Sequence, residues 1–225
     1  MTAAGVRGGQ ATGGRLLTAR GLRTRDGLVT AARRVFERIP FAEARLTDIT
    51  AEAGVASGTF YTYFDSKEEI FREVAAEVLD ELSHAARRDP DNTEGDRIRD
   101  IAHASRTYFQ ACLRNAVVVR SMEQLAVGDS AIDRARRATV RTGVRRVERW
   151  IVRLQEEGVC DADLDPHTTA IALHTMNVRV AYDHLLPAGA EADVDALVTA
   201  VTRVWARTVG LERSVAYARG DVPSS

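Results

Sequence analysis

Lysine is nearly absent from this chain: Lys67 stands alone against thirty arginines, so it is not a by-product of composition. Cysteine is scarce too. Cys112 and Cys160 lie far apart with no Cys-x-x-Cys spacing, which argues against a disulfide framework and fits a reducing compartment. No run of about 18 apolar residues exists to span a bilayer. The first residues carry arginine and glycine but no apolar h-region of a signal peptide, so a cytoplasmic protein is expected. Strand-like alternation is almost missing, and no repeat of fixed length appears. The net charge is close to zero, 31 basic against 32 acidic side chains, and by its size alone points to no polyanionic partner.

What is present is a core and a charge gradient. The 225 residues are 45% hydrophobic, enough to bury a real interior. Residues 1–64 hold nine arginines against five acids, whereas residues 65–225 hold 22 basic and 27 acidic side chains. The positive end is the N-terminal one.

Residues 1–21 are rich in Gly, Ala, Thr and Arg, too poor in apolar side chains to pack, and read as a disordered basic arm. Within it GQATGGRL superficially resembles a phosphate loop, but Arg15 and Leu16 stand where that loop needs Lys and Ser or Thr. From Arg23 the pattern turns helical. Leu28, Ala31, Ala32, Val35, Phe36 and Ile39 recur at spacings of three and four, and Pro40 stops the run. Short segments at Thr47–Ala53 and Ser57–Phe64 follow, then a long one from Ser66. Beyond Pro90, periodic segments cover about 93–113, 116–127, 130–157, 167–186 and 191–210. The fold expected is all-α, with about nine helices. Its divisions are an arm (1–21), a small N-terminal domain (22–75), a larger C-terminal domain (76–212) and a flexible tail (213–225).

LTDITAEAGVASGTFYTYF, residues 46–64, has helix-turn-helix grammar: a short helix capped by Thr47, a Gly54 turn, and a second short helix. Ile49, Ala53, Val55, Phe60 and Phe64 fall where helices would meet. The rest of the second helix presents Gly58, Thr59, Tyr61, Thr62 and Tyr63, small or hydrogen-bonding and uncharged. That face suits base edges and phosphate oxygens, and gains little by merely facing water.

RDGLVTAARRVF followed by LTDITAEAGVASGTFYTYFDSKEEIF resembles the tetracycline-repressor (TetR) family of bacterial transcription regulators, over about residues 23–75. The resemblance implies a three-helix helix-turn-helix DNA-binding domain joined to a larger helical ligand-binding and dimerisation domain. Carried over by position, it implies DNA contacts at Thr47, Ser57, Gly58, Thr59, Thr62 and Tyr63, with Tyr61 and Lys67 on phosphates. Three departures stand out. Ala56 replaces the usual cap, so the cap is expected at Ser57; Ser57 replaces a common Lys or Arg; and Thr50 replaces Ala, its hydroxyl expected to bond back to the Leu46 carbonyl. Ser66-Lys67-Glu68-Glu69 reads as a capping box with Glu69 reaching back to Ser66. Lys67 has the wrong sign for a helix N-terminus unless an anion is held there.

Asp161-x-Asp163-x-Asp165 looks like a calcium loop, but Pro166 and Ala172 replace the required Gly and Glu, so Asp165 is expected to be a helix cap. His84, His103, His167, His174 and His184 show no metal spacing, and no nucleophile, base and orienter can be named. No cofactor, metal or catalytic residue is expected. For a ligand pocket the candidates are Tyr108, Phe109, Met122, Trp150, His174 and Asn177, with Cys112, Met176 and Tyr182 beside them. The resemblance places a homodimer interface on the last two long helices, where Leu197, Ala200, Val201, Val204 and Trp205 form an apolar face; an internal core face is the alternative. The function expected is a repressor that binds a palindromic double-stranded DNA operator as a dimer and is released by a partly hydrophobic small-molecule effector. The rival is a helical small-molecule-binding or enzymatic protein without specific DNA binding.

Overall fold

A computed structural model of the chain describes residues 18–87 and 96–211, and the regular structure among them is helical. Most of the expected arm (1–17) and the expected tail (213–225) lie outside the described residues. The contact pattern divides the chain into Met1–Val74 and Ala75–Ser225.

In the first unit, α1 (Ala19–Arg38) begins four residues before the expected Arg23. Thr18 supplies the reason: its Oγ1 accepts the N–H of Gly21 at 3.2 Å, satisfying one of the donors that a helix start leaves open. Ala19–Gly21 therefore belong to the helix and not to the arm. Leu28, Ala31, Ala32, Val35 and Phe36 are buried as their spacing predicts, and Val29 joins them. The helix ends where Ile39, held extended (φ −123°, ψ 123°), precedes Pro40.

α2 (Leu46–Glu52) packs on α1 and α3 (Ser57–Phe60) on α2, while the start of α4 (Lys67–Ala85) meets α1 through phenylalanine. The Phe36, Phe41 and Phe71 rings meet with centroids 4.9 to 5.9 Å apart. Phe60 and Phe64 are fully buried, each stabilising by roughly 1.5–3 kcal/mol. Arg25 of α1 pairs with Glu73 of α4 and lies 5.0 Å over the Phe64 ring, tying the first helix to the fourth.

In the second unit the helices begin on aspartates. Asp96, Asp129, Asp165 and Asp193 accept backbone N–H groups at the starts of α5 (Arg97–Arg114), α7 (Ser130–Glu156), α8 (Pro166–Val180) and α10 (Val194–Thr208). The three aspartates at 161–165 thus form a helix approach: Asp165 caps Thr168 N at 2.8 Å with Pro166 as the first helical residue. α6 (Ala116–Ala126) follows α5 after Asn115. α8 continues through a π-helical turn, Ala181–Leu185, into the three-residue α9 (Leu186–Ala188). α7 packs on α8, and α10 on α5. Cys112 and Cys160 are free thiols, both buried; burial pushes the Cys112 thiol up to about 12.

Candidate functional site

Gly54, at φ +66°, makes the turn between α2 and α3 that a side chain would strain. Phe60 and Phe64 anchor the segment beyond it, and the residues between are turned outward. Ser57, Gly58, Tyr61 and Thr62 are exposed, Tyr61 to 61%; Thr59 and Tyr63 are half-buried. Thr47 is exposed on α2. The eight residues expected at DNA are therefore found on or beside two adjacent short helices and the first turn of α4.

Several local details differ from expectation. α3 is a single turn, Ser57–Phe60, and Tyr61–Tyr63 continue as a turn and not as helix. The α2 cap is Arg45, not Thr47: Arg45 N donates to Asp48 Oδ2 at 2.8 Å. Thr47 thereby keeps its hydroxyl free of capping duty. Ala56, without a side-chain cap bond, remains the α3 cap. Ser57 instead lies 3.5 Å from the Thr50 hydroxyl, and Thr50 donates to the Thr47 carbonyl at 3.3 Å, three residues back, not to Leu46. Glu69 accepts from Asp65 N at 2.6 Å, one residue earlier than expected, while Glu69 N donates to Ser66 Oγ at 3.2 Å.

The lone lysine is the largest departure. Lys67 Nζ donates to the carbonyl oxygens of Phe41 and Ala44, both at 2.7 Å, and sits 4.3 Å over the Phe41 ring. Its charge faces the loop between α1 and α2. A tetrahedral ammonium reaches two carbonyls and a ring face at once; a flat guanidinium fork does not. This loop leads directly into Arg45 and α2, so Lys67 fixes where α2 starts. Of its three N–H groups one is left beyond this pinning.

The second unit holds a cavity of about 240 Å³ among α5, α7, α8 and α10. Of the expected pocket residues, Tyr108, Trp150, His174 and Asn177 line it. Phe109 and Met122 do not: both are fully buried in the packed core. Trp205, expected at the dimer face, lines the cavity instead, its ring centroid 6.0 Å from that of Trp150. Val201 is likewise buried, whereas Leu197 and Ala200 keep some exposure and Val204 is 45% exposed. The apolar face of α10 is thus two stripes one residue apart: Val198, Val201 and Trp205 inward, Leu197, Ala200 and Val204 outward.

Asn177 is bound within the chain. Its amide donates to Ser105 Oγ at 3.2 Å, and its oxygen accepts from Trp205 Nε1 at 3.0 Å, joining α5, α8 and α10. His174 lies against α7 where there is no side chain: a Cβ on Gly143 would come within 2.2 Å of the imidazole. Burial, then the nearby Arg146 charge, lowers the His174 pKa to about 4, so the ring is neutral at pH 7. Arg146 and Arg153 also reach the cavity, one helical stripe with Val147 and Trp150. Neither arginine was visible in the sequence as a pocket residue, because α7 is crowded with arginines of identical appearance.

Residues 28–74 match the family described as bacterial regulatory proteins, tetR family. Solved structures of similar fold include a tetR-family transcriptional regulator from Streptomyces coelicolor (TM-score 0.67, 15% identity, covering 89% of this chain and 86% of that one). The fatty acid degradation regulator FadR from Bacillus halodurans aligns with TM-score 0.59 and 19% identity over 80% of this chain and 93% of its own. NalD, the secondary repressor of the MexAB-OprM multidrug efflux pump in Pseudomonas aeruginosa, aligns with TM-score 0.58 and 19% identity over 84% and 97%.

Proposed function

We propose that this chain, whose residues 28–74 match the tetR family of bacterial regulatory proteins, is a DNA-binding transcription regulator, a repressor released from a palindromic operator by a small-molecule effector. The observation that carries the DNA-reading part is the uncharged polar surface of α3 and its following turn, raised on two buried phenylalanines. Thr59, Thr62 and Tyr63 read base edges, with Ser57 beside them. Tyr61, Thr47 and the exposed Arg45 meet phosphates. Gly58 lets the backbone approach the groove: a Cβ there would touch nothing within 4 Å in the chain itself, so internal packing does not require a glycine. Lys67 acts mainly through the loop it pins, which fixes the start of α2.

One such unit makes few base contacts, so a two-fold dimer supplies specificity. Ile171 on α8, 44% exposed, and the outward Leu197, Ala200 and Val204 of α10 form its interface. The effector occupies the second unit's cavity and favours a dimer geometry that the operator does not accept. NalD is by description a repressor, and that role is carried over to this chain as part of the proposal.

Binding-site selection from random duplexes tests the reading. Thr59→Ala and Tyr63→Ala are expected to shift the selected sequence, while Tyr61→Ala weakens all sequences alike. Unaltered preference in the Thr59 and Tyr63 variants contradicts their base-reading role. A chain that selects no sequence at all favours the rival, a helical small-molecule-binding protein.

A further inference from the structure

We propose that the second unit's cavity takes a small monocarboxylate with a ring-sized apolar body, its negative group held between Arg146 and His174; this rests on the effector reading above. Size comes first. A dry apolar cavity of roughly 150 Å³ holds benzene, so about 240 Å³ admits a ring with a short substituent. Trp150 and Trp205, with Ile101 and Val147, give that ring apolar walls.

Charge comes second. Arg146 is only partly exposed, and its one hydrogen bond among the described residues goes to a neutral acceptor, the Ser83 carbonyl at 3.2 Å. Burial lowers its pKa, and the charges bearing on it, Arg87 and Arg149, are of its own sign and lower it further. Asp100 also reaches the cavity, yet no ion pair joins it to Arg146 among the described residues. A guanidinium with five N–H groups, one of them used and no counter-ion, matches a carboxylate, which accepts two parallel bonds from it. A neutral acceptor would offset the lost hydration of that cation less than a carboxylate does, and a cationic group beside Arg146 would be repelled by it.

Hydrogen-bond capacity comes third. The ring nitrogens of His174 have no protein hydrogen-bond partner among the described residues, and its imidazole is fixed by the room that Gly143 leaves. A neutral imidazole offers one N–H to the same anion, while its other nitrogen accepts from a substituent or water.

Both tryptophans of the chain line this cavity, so their emission reports occupancy directly. The full-length protein is titrated with phenylacetate and with its neutral isostere phenylacetamide. The acid is expected to bind roughly tenfold to a hundredfold more tightly, the difference a charge-assisted hydrogen-bonded pair makes. In Arg146→Gln the two affinities are expected to converge to within about twofold, and Arg146→Lys to keep part of the preference, with circular-dichroism melts confirming that both variants fold. His174→Gln, expected to fold, should weaken the acid more than the amide. Equal affinities of the native chain for acid and amide overturn the anion site and leave the cavity as an effector site. No response to either probe overturns both.

Discussion

In the N-terminal unit phenylalanines fill the interior and the hydrogen-bonding groups of α3 and its turn face out; in the second unit the tryptophans ring a cavity, and Arg146 and His174 face into it. The first arrangement suits a large ligand that stays outside, such as a duplex. The second suits a small ligand that is enclosed. Polar capacity left over after folding thus separates the proposed reading surface from the proposed sensing one.

The sharpest way to test that division is to cut the interior and the surface of the same short segment. Phe60→Ala is expected to cost about 3–5 kcal/mol and to unfold the reading unit, whereas Tyr61→Ala, one residue on, changes stability by less than about 0.5 kcal/mol. Thermal melts of the two variants check this. Comparable losses would mean that α3 has no outward face.

Next in size is the pH response of the second unit. His174 has a folded-state pKa of about 4 against an ordinary 6.5, so between those values the unfolded chain binds a proton that the folded chain refuses. Stability is unaffected above pH 6.5 and falls as the pH drops toward 4, by at most about 1.4 kcal/mol per pH unit. His174→Gln is expected to remove this slope in denaturant melts run from pH 7 to 4. A slope unchanged in the variant would assign the acid sensitivity elsewhere.

The two units also differ in how far the sequence reveals them. Buried stripes such as Leu28 to Phe36 and the Gly54 turn were legible, because helical period and a positive φ leave marks in residue type. Cavity residues were legible where their type stands out, as with the aromatic Tyr108 and Trp150 and the polar His174 and Asn177. Arg146 was not, since a pocket arginine and a surface arginine look the same in a chain that uses arginine throughout. On α10 two apolar stripes one residue apart merged into one apparent face, so the buried Trp205 and the exposed Val204 were not told apart. Lys67 was legible as an exception, but its bonds to the loop were not, because these partners are backbone carbonyls 23 and 26 residues away that no side-chain pattern encodes.

That role has its own test. Lys67→Met keeps the stem and removes the ammonium, leaving the Phe41 and Ala44 carbonyls without their donor; a loss of about 1–3 kcal/mol is expected, and Lys67→Arg is not expected to restore it. Weaker DNA binding with an almost unchanged salt slope marks a pin. A slope reduced by about one marks a direct phosphate contact instead. The smallest effect on the fold is expected at Gly58→Ala. In this open helical position alanine should stabilise by about 0.5–1 kcal/mol while weakening operator binding by roughly tenfold or more. A variant that binds DNA as well as the native chain would remove Gly58 from the interface.

The central claim, that this is a sequence-specific DNA-binding regulator, is tested most directly by fluorescence anisotropy of the duplex upstream of its own gene at about 150 mM salt. The account predicts saturable binding between roughly 10⁻⁸ and 10⁻¹¹ M, two chains to each palindrome, at least a thousandfold tighter than to a scrambled duplex. Equal affinity for the upstream and scrambled duplexes would contradict it.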